Sequence, residues 1–248
     1  MDFSFYQVAI PAVTLLGISK GGFTGVGMAA MPIMALAVSP IEAASIMLPI
    51  LVVQDAVGVF AYRRSWDAGN LIALLPGAIL GVLVGYLTAS LVSEAAIKLV
   101  LGVVSIAFGG QRLIVDRGGR APRVTHGRIV GFVCGAASGF TSMIAHAGGP
   151  PFQIFVMPQR LPHELFVGTT VVFFAIVNAI KIPPYLMLGH MTAGNLLISA
   201  TLVPLAIAST WLGIWFVRRA STQGFYTLIY VLMLVVGVKL VWDGVRFL

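Results

Sequence analysis

The sequence predicts an all-α polytopic membrane protein made of two homologous halves. Scarce charge, long apolar runs and internal repetition each point that way. Only 9% of the 248 residues are charged, 59% are hydrophobic, and the mean hydropathy is +1.01. Soluble domains carry roughly 25% charged residues, so this chain cannot clothe a water-facing surface. Lipid is the solvent for most of it.

Apolar segments fall at about 5–36, 43–62, 70–90, 95–114, 127–157, 165–187, 195–217 and 224–244. One bilayer crossing takes about 20 residues. Most of the segments fit one crossing, but 5–36 and 127–157 are each too long. The first contains the run Ser19-Lys20-Gly21-Gly22-Phe23-Thr24-Gly25-Val26-Gly27. The second contains the glycine-rich stretch 135–139 and then Ala147-Gly148-Gly149-Pro150-Pro151. Glycine and proline at that density are expected to break a helix. In lipid, broken helices survive only against protein or a water-filled cavity. Each long segment is therefore read as a hairpin of two short helices, or as a helix followed by a re-entrant half-helix. Pro183-Pro184 is expected to end the helix over 165–187, and Asn70 and Asn195 are read as helix N-caps.

The two halves repeat phrases in the same order. Gly22-Phe23-Thr24 returns as Gly139-Phe140-Thr141, and Ala68-Gly69-Asn70-Leu71 as Ala193-Gly194-Asn195-Leu196; Pro76, Gly85 and Gly109 return as Pro204, Gly213 and Gly237. Residues 1–115 are read as the first transmembrane repeat, 116–126 as a basic cytoplasmic linker and 127–248 as the second repeat. Five helical elements per half would invert the second half, giving a pseudo-two-fold axis in the membrane plane. Four per half would leave the halves parallel, and the placement of basic residues fits both schemes equally. Asp2, with no basic neighbour, favours an outside N-terminus and the inverted form.

The net charge of +7 does not indicate nucleic-acid binding. The arginines crowd one central loop (Arg112, Arg117, Arg120, Arg123, Arg128) and span ends (Arg63-Arg64, Arg218-Arg219), as the positive-inside rule predicts. The N-terminus has no basic n-region and is expected to stay as a membrane segment. Cys134 is the single cysteine, so neither an internal disulfide nor a thiolate cluster is expected.

The run Lys20-Gly-Gly-Phe-Thr-Gly-Val-Gly-Met-Ala-Ala-Met-Pro32 resembles the first-half motif of the sulfite exporter TauE/SafE family. Gly139-Phe-Thr-Ser-Met-Ile-Ala-His-Ala-Gly-Gly-Pro150 resembles its second-half counterpart. Length, basic linker and duplicated halves agree, so the resemblance covers nearly the whole chain. It implies a multi-pass protein of the bacterial inner membrane that moves sulfite or small organosulfonates.

A charge at mid-bilayer costs at least about 2.5–3.5 kcal/mol, so polar residues inside spans are the candidate site. Lys20 at the first break, with the N–H groups of Gly21 and Gly22, would form an anion receptor; its rival role is a snorkelling lysine at the membrane edge. Thr24, Thr141 and Ser142 could donate hydroxyls to sulfonate oxygens, unless those hydroxyls serve their own helix carbonyls. Gly148, Gly149 and Gln153 are the corresponding groups of the second break. Asp55, mid-span, is expected to pair with Lys20 or to take up a proton. The repeat alignment sets Asn178 opposite Asp55, and Asn178 joins the substrate-binding set. His146 is a second proton-coupling candidate. His126, His163 and His190 are read as solvated loop residues, and Lys181 as an end-of-span anchor.

The chain has no Walker glycine loop, no Gly-x-Ser-x-Gly elbow and no His-Glu-x-x-His, so ATP-driven pumping and catalysis are not expected. Neither is a cofactor or a bound metal. The reading is a secondary transporter of a small sulfur oxyanion, with alternating access between the repeats and proton coupling through Asp55 or His146. Its expected partners are the solute, the proton and the bilayer, and the oligomeric state is left open. The alternatives are a non-transporting scaffold subunit and a metal-cation carrier.

Overall fold

The computed structural model describes residues 3–22, 27, 30–34, 37–89, 124–189, 191–219 and 222–246, with isolated positions between 93 and 114. The described residues form α1 (Phe3–Lys20), α2 (Ala30–Met34), α3 (Pro40–Tyr62), α4 (Ala68–Thr88), α5 (Arg128–Ala145), α6 (Gly149–Val156), α7 (His163–Met187), α8 (Ala193–Arg219) and α9 (Thr222–Arg246). A 3-10 turn, Met157–Gln159, follows α6. No strand occurs among the described residues. Four helices (α3, α4, α7 and α8) are long and apolar enough to cross a membrane. Their open faces carry large apolar side chains, among them Ile72, Leu83, Leu87, Leu197 and Trp215, which water would not tolerate in such continuity. Thr24, His190 and most of the basic linker lie outside the described residues.

Local signals set the helix ends. Ser39 caps α3 by accepting the Glu42 N–H at 3.3 Å, with Pro40 opening the helix, as an N-cap followed by proline should. Thr192, not Asn195, caps α8, its Oγ1 accepting the Asn195 N–H at 3.2 Å. Asn70 sits inside α4 and exchanges two hydrogen bonds with the Gln159 amide, at 3.0 and 2.7 Å. The repeated asparagines are therefore not N-caps. Pro183 and Pro184 lie within α7, which continues to Met187. Proline in a membrane helix is tolerated where surrounding protein absorbs the freed carbonyls.

The chain divides into two compact units. One comprises residues 1–67 and 167–219, the other 68–166 and 220–248, so each draws on both halves of the sequence. In the first unit α1 packs on α8 through small residues: a β-carbon at Gly17 would lie 1.9 Å from Ser209 Oγ, and one at Gly21 2.5 Å from the Gly213 backbone. The α3–α8 contact is fixed by the Ser199 hydroxyl donating to Ile46 O at 2.7 Å. α7 runs opposite to α3, Gly168 lying against the Ser65 carbonyl and Val171 against Gly58.

The second unit is built on α4 and α5. Added β-carbons at Gly77 and Gly81 would stand 1.9 Å from Phe132 O and 2.0 Å from Ala136 O. Those at Gly135 and Gly139 would stand 2.0 Å from Leu74 O and 2.1 Å from Ala78 O. The two backbones touch, which only glycine permits. The stretch 135–139 is therefore not a break, and α5 runs through it to Ala145. Chain continuity fails instead at His146, which takes a left-handed conformation (φ 52°) and caps α5 by donating its N–H to Ser142 O. Both long apolar segments thus show one pattern: an 18-residue helix, a break, then a short helix of 5 (α2) or 8 residues (α6).

Candidate functional site

α1 ends on Lys20 because the next residues cannot continue it. Gly22 adopts φ +140°, a conformation open to glycine alone, and the Gly21 carbonyl turns to accept the Tyr62 hydroxyl at 3.0 Å. This leaves the Lys20 side chain at a helix C-terminus, where a cation is favoured. Its Nζ donates to Asp55 Oδ1 at 2.6 Å, with Lys20 13% and Asp55 4% exposed. Asp55 lies two turns, roughly 10 Å, inside the C-terminal end of α3.

Both carboxylate oxygens of Asp55 are engaged. Asn178, on the α7 strip that faces α3, donates its Nδ2 to Oδ2 at 2.6 Å. The Lys20 ammonium also lies 5.4 Å from the centre of the Phe174 ring, one turn before Asn178, close enough for a cation–π attraction. The expected Lys20–Asp55 pair is present, and Asn178 touches Asp55 directly. A buried pair is not in itself a source of stability, but removing one partner strands a charge at a cost of about 3–5 kcal/mol.

Lys181 was read as an anchor at the end of its span. It is instead completely buried, within electrostatic reach of both Lys20 and Asp55. The error follows from the proline pair: with Pro183-Pro184 taken as the helix end, Lys181 falls at the membrane edge, whereas in the continuing helix it lies inside. The useful signal was its spacing, because residues three apart share a helix face, which puts Lys181 beside Asn178. Gln54 turns the other way and donates to Val13 O at 3.4 Å, tying α3 to α1.

The remaining candidates lie in the second unit. Thr141 donates its hydroxyl to Ala137 O at 2.7 Å, so the proton is committed to its own helix. Ser142 and Gln153 are buried, and Gly148 and Gly149 stand at the start of α6. Ser138, which sequence reasoning passed over, donates to Gly148 O at 2.6 Å and clamps the break. His126 sets its ring 6.1 Å from Phe155 with Nδ1 buried, and His163 is the first residue of α7; neither is a freely solvated loop residue. Among the described residues no three His, Cys, Asp or Glu side chains come together as a metal site would require.

Among the described residues, an all-helical architecture with four membrane-length apolar helices and an ion pair in its interior indicates a multi-pass membrane protein. The model of the sulfite exporter TauE/SafE family matches residues 9–240, nearly the full length, and the chain belongs to that family of membrane transporters of sulfur anions. Neither the curated proteins nor the solved structures compared gave a match.

Proposed function

We propose that the protein is a secondary transporter whose anion receptor is the Lys20 ammonium, held in place by Asp55 and Asn178. The observation that carries the reading is the engaged carboxylate. One oxygen of Asp55 pairs with Lys20, and Asn178 fixes the second. An ammonium has three N–H donors, of which Asp55 takes one. Protonation of Asp55 would cancel its charge and release Lys20 to an oxyanion, so that proton and solute enter the site together. Lys181 adds a second buried amine, three residues along α7 from Asn178. The Gly21 and Gly22 N–H groups, expected to join the receptor, instead donate to Gly17 O at 2.8 Å and Ser19 O at 3.0 Å, and Thr24 is the further residue assigned to the solute.

The substrate class is a small sulfur oxyanion, sulfite or an organosulfonate. Ser142, Gly148, Gly149 and Gln153 are assigned to solute binding as neutral donors, Thr141 drops out of that set because its hydroxyl proton goes to Ala137 O, and His146 is the second proton-coupling candidate. The same reading takes residues 1–115 and 127–248 as inverted repeats of five elements that move against each other to alternate access, in a bacterial inner membrane. Two features support it: each half opens on an 18-residue helix, a break and a short helix, and Ala-Gly-Asn-Leu opens both α4 and α8.

The test is flux in proteoliposomes loaded with sulfite, methanesulfonate or a carboxylate. Transport of the sulfur anions is expected to persist without ATP, to respond to an imposed proton gradient, and to lose that response in Asp55→Asn. Carboxylate flux equal to sulfite flux would remove the assignment of substrate class.

A further inference from the structure

A second basic site lies apart from Lys20. α3 ends at Tyr62 and gives way to Arg63, Arg64 and Ser65, while α8 ends at Arg218-Arg219. Between these two helix ends, within the first unit, is a cavity of about 300 Å³ lined by Phe60, Arg63, Arg64, Ser65, Trp211 and Arg218, with Ala61. Three arginines line it, and no aspartate or glutamate is among the lining residues. The contacts that hold the arginines are neutral: Arg63 donates to Phe60 O at 3.3 Å and lies 4.8 Å from the Phe60 ring centre. Arg218 donates to Ala61 O at 3.4 Å and lies 6.0 Å from the Tyr62 ring. Carbonyls and rings position the charges without cancelling them. Such a cavity suits an anion with several oxygens, and arginine forks match phosphate geometry.

Its rim indicates the kind of anion. Phe60 is 60% exposed and Trp211 43%, while the Trp66 indole donates to Arg63 O at 3.1 Å. Exposed aromatics beside arginines at span ends mark the headgroup level of a bilayer, and the positive-inside rule places these ends at the cytoplasmic leaflet. A soluble anion would use the guanidinium groups but gain nothing from the lipid-facing ring and indole. A phospholipid uses both, with its phosphate among the arginines and its acyl chains along Phe60 and Trp211. Basic pockets beside membrane helices recognise anionic headgroups in this way.

We infer that the cavity between the C-terminal ends of α3 and α8 binds the headgroup of an anionic phospholipid through Arg63, Arg64 and Arg218. This site stands independently of the transport reading. It nevertheless touches the first break, because Arg218 lies over Tyr62, whose hydroxyl holds the Gly21 carbonyl.

The test uses the purified full-length protein in neutral detergent. Phosphatidylglycerol is expected to raise the melting temperature by several degrees, because a ligand that binds only the folded state stabilises it. Phosphatidylcholine, inorganic phosphate and sulfite should leave it unchanged. In native mass spectrometry, phosphatidylglycerol retention should fall about fivefold for each arginine neutralised, ~25-fold in Arg64→Gln/Arg218→Gln, at roughly 1 kcal/mol per basic residue. Arg64→Lys/Arg218→Lys, which keeps the charge, should retain the lipid at an intermediate level and guards against a fold that fails without cations there. Equal stabilisation by phosphatidylcholine, full stabilisation by inorganic phosphate or sulfite, or undiminished retention in the Gln variant would each overturn the proposal.

Discussion

The two breaks follow one plan and differ in what surrounds them. After α1 the chain turns at glycine, and the first unit buries ionic groups: Asp55 and Lys181, with Lys20 nearly so. After α5 the chain turns at a left-handed histidine, and the buried polar groups described in the second unit are all uncharged: Asn70, Ser138, Thr141, Ser142 and Gln153. Their visible hydrogen bonds serve the protein itself, Thr141 to Ala137 and Ser138 to Gly148. The same helix–break–helix order thus lies in two different interiors. Charge was kept where a partner carboxylate and an amide could hold it, and the other break was made with neutral donors.

The sharpest way to break that contrast is Lys20→Ala. Loss of a charge-assisted contact to the solute should cut sulfur-anion flux by about 10- to 100-fold, and stranding Asp55 should lower stability by about 3–5 kcal/mol; flux assays and denaturant melts read the two effects separately. Next comes a contrast between glycines. Gly135→Leu drives a side chain into the Leu74 carbonyl and should cost at least about 3 kcal/mol, visible as poor insertion or a collapsed melt. Gly149→Ala meets nothing within 4 Å and should melt as the wild type does; a change in its flux would then report on the solute alone. Asn70→Ala removes one side of the amide pair with Gln159 and should cost about 1–3 kcal/mol, with flux unaltered. The smallest effect belongs to Thr141→Val, which loses only a bond to its own helix: stability within about 0.5 kcal/mol and flux as in the wild type.

Much of this was legible because lipid imposes simple demands. The segments 43–62, 70–90, 165–187, 195–217 and 224–244 match α3, α4, α7, α8 and α9 to within a few residues, since uninterrupted hydrophobicity at span length leaves little choice. The Lys20–Asp55 pair was one of the two roles expected of Asp55, for the same reason: a carboxylate inside a span needs a partner or a proton. What could not be read was the meaning of each glycine. In 135–139 glycine permits backbone contact with α4, while at Gly22 it supplies a positive φ, and the letters are identical. Only the neighbouring backbone separates the two uses, and that neighbour is remote in sequence. The repeat misled in the same way. Gly22 follows a helix end, whereas its counterpart Gly139 lies in mid-helix, so this pair of matching phrases does not begin in matching structure. Lys181 was missed through one wrong helix end: a proline pair that would stop a helix in water is carried through in α7.

The measurement closest to the central claim is sulfite flux in proteoliposomes holding the Lys20→Ala/Asp55→Asn double variant. Removing both charges at once leaves neither member of the pair stranded and takes one like and one opposite charge away from Lys181, so the protein should melt near the wild-type temperature, and any loss of flux belongs to recognition rather than to folding. The account predicts a stable protein with flux at the background of empty liposomes. A stable double variant that carries sulfite at the wild-type rate would contradict it.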